Sequence, residues 1–190
     1  KAYGWQMTPT LTKDLLLNML LGLTALTVIT LPMINDPAPK ADQGKQPGNM
    51  VVSAVWPEGD TDVDLWVKGP TDTKAVGYSN RGGTLFNLLR DDLGRPGDSM
   101  PMNYENAYSR GMPAGDYTVN VHLYRGYAPV TVAIEVRLGN AGEVTKLLYE
   151  SDVTLHAYGQ EITAINFTLD AAGNVTRQSK VYRPLRAVVK

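Results

Sequence analysis

Residues 15–35 read LLLNMLLGLTALTVITLPMIN and hold no charged side chain. No other feature limits the fold so strongly. Twenty residues of α-helix rise about 30 Å, the thickness of the hydrocarbon core of a bilayer. The polar interruptions are mild. Thr24, Thr27 and Thr30 can return their hydroxyls to carbonyls of the preceding turn, and Pro32 stands near the far end, where interrupting a helix costs little. A cleaved signal peptide would have a shorter apolar region followed by a small-x-small site, and residues 38–41, APKA, are a poor candidate for one. The segment is therefore expected to be an uncleaved anchor. Lysines balance across it, with Lys1 and Lys13 before and Lys40 and Lys45 after. Positive charge alone does not orient it. A short N-terminal tail ahead of a folded C-terminal domain favours a cytoplasmic N-terminus.

The expected plan is a cytoplasmic tail over residues 1–10, a transmembrane helix over 11–35, a linker over 36–49 and an extracytoplasmic domain over 50–190. The linker, DPAPKADQGKQPGN, has three prolines and two glycines among its charges, which keeps it extended and unpacked. With 43% hydrophobic residues the chain can build a core. The absence of cysteine removes disulfides and thiolate metal sites, and a net charge of −1 offers no basic surplus for nucleic acid.

From Met50 onward the pattern alternates with period two. Strands are predicted over 50–56, 63–67, 117–124, 130–138, 144–149, 153–156, 162–169 and 175–178. Their spacing and turn chemistry predict a mainly-β fold, an antiparallel sandwich. Residues 81–110 are rich in Gly, Asp, Asn and Pro. They read as one long loop, functional or packed as an Ω-type excursion, in which 85–89 is either strand or turn.

Asp14 is the residue most open to a chemical role. It directly precedes the uncharged run. At 100° per residue, Asn18, Leu21, Gly22, Ala25 and Pro32 fall within roughly 80° of it, giving a stripe that is polar or small at the Asp14 end. A carboxylate inside a membrane is costly unless it faces protein or water, and such a group can carry an ion. The plainer reading makes Lys13 and Asp14 the solvated flank of a tether.

The stretch MTPTLTKDLLLNML, residues 7–20, resembles the start of ExbD and TolR proteins. They have a short cytoplasmic tail, a Thr-Pro or Val-Pro step, and an Asp entering one apolar helix. MotB-type stator subunits share the plan. The resemblance covers residues 7–35. It departs in spacing, with four residues between Pro9 and Asp14 where two are usual, and in Lys13 beside the Asp. It implies that Asp14 carries the ion; Asn18, one turn further along the stripe, is then the supporting polar group. It also implies a homodimer of helices inside a ring of multi-span ExbB/TolQ/MotA-like subunits.

The outer domain resembles bacterial β domains of the YfaP type. The resemblance rests on DTDVDLWV at 60–67, Gly69-Pro70, Tyr104-Glu105-Asn106 and GDYTV at 115–119, and spans residues 51–138. It implies a β fold and points to no particular activity, the function of that family being unassigned.

Asp60, Asp62 and Asp64 invite a calcium reading, since strand alternation would place all three on one face and hard oxygen ligands suit that ion. They do not form an EF-hand, because Leu65 stands where the turn glycine belongs and Thr71 where the glutamate belongs. The competing reading has Asp60 and Asp62 capping a turn and Asp64 partnered by backbone or arginine. Asp91, Asp92 and Asp98 are possible additions to such a site. His122 and His156 fall inside strand patterns and read as ordinary sheet residues. No nucleophile elbow, zinc-protease helix or phosphate loop is present, so no enzyme is expected. Trp56, Trp66, Tyr104, Tyr108, Tyr124 and Tyr127 suit a glycan or peptide platform, though packing is the commoner use of such residues.

The leading expectation is a B-type subunit of a proton- or sodium-driven motor in the bacterial inner membrane, whose outer domain engages an envelope or cell-wall target. The alternative is a signal-anchored periplasmic binding module with the helix only a tether.

Overall fold

A computed structural model describes residues 9–34, 49–94, 102–139 and 146–186. The expected tail, apart from Pro9 and Thr10, and the linker up to Gly48 lie outside the described residues, as does Asp98. The chain divides into two compact units, Lys1–Gly44 and Lys45–Lys190.

The first unit holds one helix, α1 (Pro9–Ile34). Pro9 opens it, where a missing N–H costs nothing because the first turn leaves its N–H groups unpaired. The side chains of Leu11, Leu15, Leu17, Leu20, Leu23, Leu26 and Ile29 are all exposed, so apolar surface surrounds the helix. The three threonines of the apolar run bond the preceding turn: Thr24 Oγ1 donates to Leu20 O at 2.8 Å, Thr27 Oγ1 to Leu23 O at 2.8 Å and Thr30 Oγ1 to Leu26 O at 2.9 Å. That removes the polar cost of the three hydroxyls. The helix is long and apolar enough over Pro9–Thr30 to cross a membrane.

The second unit is a two-sheet antiparallel β domain. Its strands are β1 (Met50–Trp56), β2 (Asp62–Lys68), β3 (Phe86–Arg90), β4 (Asn103–Ser109), β5 (Gly115–Arg125), β6 (Val130–Leu138), β7 (Lys146–Leu155), β8 (Glu161–Leu169) and β9 (Val175–Ser179). One sheet runs β3-β4-β1-β6-β7 and the other β2-β5-β8-β9. Alternation supplies the core. Val52, Ala54 and Trp56 of β1 and Val132, Ile134 and Val136 of β6 meet Val63, Leu65 and Val67 of β2 and Val119, Val121 and Leu123 of β5. Tyr117 stacks on Phe167 with centroids 4.9 Å apart. Its hydroxyl donates to Pro113 O at 2.6 Å, fixing the chain's entry into β5.

Two expectations are corrected. The segment 81–110 is not one long loop, because it contains β3 and β4, and β4 lies inside its sheet between β3 and β1. The inward register of β4 is Asn103, Glu105, Ala107 and Ser109, so burial there is mostly polar and leaves no apolar alternation to read. The predicted strands 144–149 and 153–156 are one strand. Residues 150–152 look like a break in sequence, but each is paired with β6, Glu150 to Glu135, Ser151 to Ile134 and Asp152 to Ala133. Residues 144 and 145 lie outside the described residues.

Candidate functional site

In the helix, Asp14 and Asn18 are both exposed, one turn apart on the same stripe. Around them the surface is leucine and methionine, with Leu15, Leu17, Met19 and Leu21 all more than half exposed. If the helix spans a membrane, Asp14 is its one charged group beyond Lys13.

In the β domain the chemistry gathers around β2. This strand and β5 are buried on both faces, although each has only one face toward the core. Their outer face is mostly polar, and it is covered by the 73–80 loop and by the segment 180–186. Every polar group trapped there needs a partner. Thr118 Oγ1 donates to Asn166 Oδ1 at 2.8 Å. Asn120 Nδ2 donates to Glu161 Oε1 at 2.6 Å and to Arg183 O at 2.7 Å. Glu161 Oε1 also accepts from Leu185 N at 2.9 Å, and Asn166 Nδ2 donates to Val181 O at 2.7 Å. Side chains of β5 and β8 thus hold the C-terminal segment as an extended strap.

His122 stands directly opposite Asp64 across the β2–β5 ladder, with Nδ1 2.7 Å from Asp64 Oδ2. Both are almost fully buried. Burial pushes the Asp64 carboxyl up, and the His122 hydrogen bond pulls the other way. Asp62 is raised to about 6 by burial and then by the nearby Asp64 charge, against Arg125. Glu105 reaches across from β4 and accepts Leu65 N–H at 2.7 Å through Oε2, which caps an open N–H on the free edge of β2. It is fully buried, and desolvation first, with the Asp64 and Asp91 charges adding to it, pushes its carboxyl to about 10. Glu105 is therefore neutral at pH 7. Its Oε1 has no donor partner, and a protonated Glu105 can itself donate to its carboxylate neighbour Asp91.

Asp92 behaves oppositely. Although burial acts against it, hydrogen bonds from Arg90, Gly94 N and Tyr104 N hold its carboxyl low. Arg90 also lies over the Tyr104 ring, 4.3 Å from its centroid.

The aspartate triplet is not assembled as one row. Asp60 is exposed and precedes β2, whereas Asp62 and Asp64 are each 3% exposed. The ladder also shifts register between Asp62 and Val63. Asp64 takes a histidine as its partner rather than backbone or arginine. Among the described residues no group of three or more His, Asp or Glu is arranged to hold a metal ion. His156 lies just beyond β7 and is exposed.

The aromatic residues divide by environment. Trp56 is core, its Nε1 donating to Thr61 O at 2.7 Å. Trp66, Tyr78 and Tyr124 form a row on the outer face, with successive centroids 5.5 and 5.6 Å apart. Gly77 lies against the Trp66 indole so closely that a Cβ there would come within 2.5 Å of it. Beside Trp66 a cavity of about 510 Å3 opens between the 73–80 loop and the strap.

Two groups were hidden from sequence reading. Glu105 had no apolar register to mark it as buried, and the His122–Asp64 pair joins residues 58 apart. Compared with known proteins, the chain matches no family model, no curated protein and no solved structure.

Proposed function

We propose that this chain is a single-span protein of the bacterial inner membrane that works as the B-type subunit of an ion-driven assembly of the ExbD, TolR and MotB kind. Asp14 is the ion-carrying group, Asn18 its polar neighbour, and the β domain is the periplasmic part that engages an envelope target. The observation that carries this reading is Asp14 itself, which with the adjacent Lys13 supplies the only charges among the described residues of an apolar-surfaced helix. Centred on the span Pro9–Thr30, Asp14 lies about 8 Å from the middle of a hydrocarbon core roughly 30 Å thick. A bare charge at the bilayer centre costs about 2.5–3.5 kcal/mol on insertion scales. That cost is avoided when the carboxylate faces protein or water, as it would inside a ring of multi-span subunits. Gly22 and Ala25, on the Asp14 side, permit a second copy of the helix to approach closely.

A second reading is favoured by length. The twenty residues from Leu15 to Ile34 carry no charge, and they alone rise about 30 Å. Asp14 then sits at the membrane surface, and the helix is the tether of a periplasmic binding module. Native mass measurement after gentle extraction separates the two. The motor reading expects two copies of this chain with co-purifying multi-span subunits, and a lone monomer favours the tether.

A further inference from the structure

The cavity beside Trp66 is independent of the helix and of either reading above. Its walls come from the outer face of β2, the 73–80 loop and the end of the strap. At about 510 Å3 it falls within the roughly 300–1,000 Å3 of ligand-sized clefts. Three cations line it, Lys68, Lys74 and Arg186, and no carboxylate does. Among the described residues none of the three makes an ion pair, and only Arg186 feels a carboxyl charge, that of the buried Asp64 behind it. The chain as a whole has a net charge of −1, so this local excess is not a property of its composition. Like charges gathered around one concavity repel each other, and an anion entering it relieves that repulsion.

Beside the cations lies an apolar wall of Ala75, Pro184 and Leu185. Trp66 borders the cavity but is only 5% exposed, with its indole covered by Gly77 and Tyr78. A sugar ring would need an open aromatic face to stack on, and this one is closed. An extended peptide needs none. The same outer face already holds an extended segment, the strap, by side-chain hydrogen bonds to its backbone. We propose that the cavity binds an acidic peptide segment, with carboxylates against Lys68, Lys74 and Arg186 and an apolar side chain against Pro184 and Leu185.

The test uses the full chain in detergent and a fluorescein-labelled peptide of alternating leucine and glutamate, followed by fluorescence anisotropy. A leucine–glutamine peptide of equal length and an oligogalacturonate are unlabelled competitors. The glutamate peptide is expected to bind, and its affinity to fall by about tenfold or more, a loss of about 1.4 kcal/mol or more, in Lys74→Gln/Arg186→Gln. Lys74 is exposed and Arg186 lies on the strap, so the β circular-dichroism signal should be kept. Lys74→Arg alone retains the charge and should retain binding. The leucine–glutamine peptide should compete at least about tenfold less well than the unlabelled glutamate peptide. No binding, equal affinity in the double variant, or equal competition by the glutamine peptide overturns the proposal. Tighter competition by the oligogalacturonate than by the glutamate peptide overturns it in favour of an anionic glycan.

Discussion

Glu105 makes the stability of the β domain depend on pH in a direction opposite to that of a salt-bridged carboxylate. In the unfolded chain it ionises near 4.5, and in the folded domain its carboxyl is pushed to about 10. Between those values the folded state holds one proton more than the unfolded state. Its contribution is therefore fully present below 4.5 and is lost as pH rises toward 10. Within the window one proton changes stability by about 1.4 kcal/mol per pH unit, so from pH 7 to 9 the loss is about 2.7 kcal/mol. Asp62, raised to about 6, has largely completed its titration below this range. Glu105→Gln is the uncharged isostere. Its Oε1 can still accept the Leu65 N–H, and its amide N–H groups can face Asp91, but nothing titrates. The assay is urea unfolding of residues 45–190 at pH 7, 8 and 9, read by tryptophan fluorescence. The variant should gain about 2.7 kcal/mol on the parent between pH 7 and 9, because all other groups cancel in the difference. Parallel stability curves would show that Glu105 is ionised throughout and refute the reasoning.

Two further outcomes concern the outer face. Glu161→Ala removes the acceptor of both Asn120 and Leu185 N–H. It should cost roughly 1–3 kcal/mol and loosen the strap, seen as faster tryptic cutting at Lys180 and Arg186 with the core of the domain intact; unchanged cutting would mean the strap is held by other contacts. Calcium should leave the melting temperature of the β domain where chelator leaves it, because Asp64 is engaged by His122 and Asp60 stands apart. A rise with calcium, by mass action on the folded state, would assign an ion to Asp62 and Asp64.

The parts of the fold legible in the sequence are those where apolar residues face the core and polar ones do not. β1 and β6 follow that rule, and their bounds at Met50–Trp56 and Val130–Leu138 are as predicted from alternation. β4 breaks it, because its inward row carries Asn103, Glu105 and Ser109. Those residues do structural work: Asn103 Nδ2 donates to Pro57 O at 3.1 Å and to Gly59 O at 3.0 Å, and Glu105 caps β2. A polar row with fixed partners resembles a loop in sequence and a central strand in space. The Asp triplet misleads for a related reason. Period-two spacing places residues on one face only while the strand is regular, and here β2 begins after Asp60 and shifts register at Asp62. His122 reads as an ordinary sheet residue because its partner comes from strand register, which no local pattern encodes. In the helix, the threonine back-bonding follows from sequence alone, since each acceptor lies four residues away.

One substitution isolates the chemistry proposed for Asp14, carriage of an ion by its carboxylate. Asp14→Asn keeps the size and the hydrogen-bonding capacity of the side chain and removes its titration. The apolar surface of α1 is untouched, so the variant should still insert and still assemble with the proposed subunits. The measurement is ion flux across membranes holding equal amounts of the parent or the variant together with the proposed multi-span subunits. Flux should be lost in Asp14→Asn, partly retained in Asp14→Glu, and little changed in Asn18→Ala. Full flux in the Asp14→Asn variant would contradict the ion-carrier role and leave the helix as a tether.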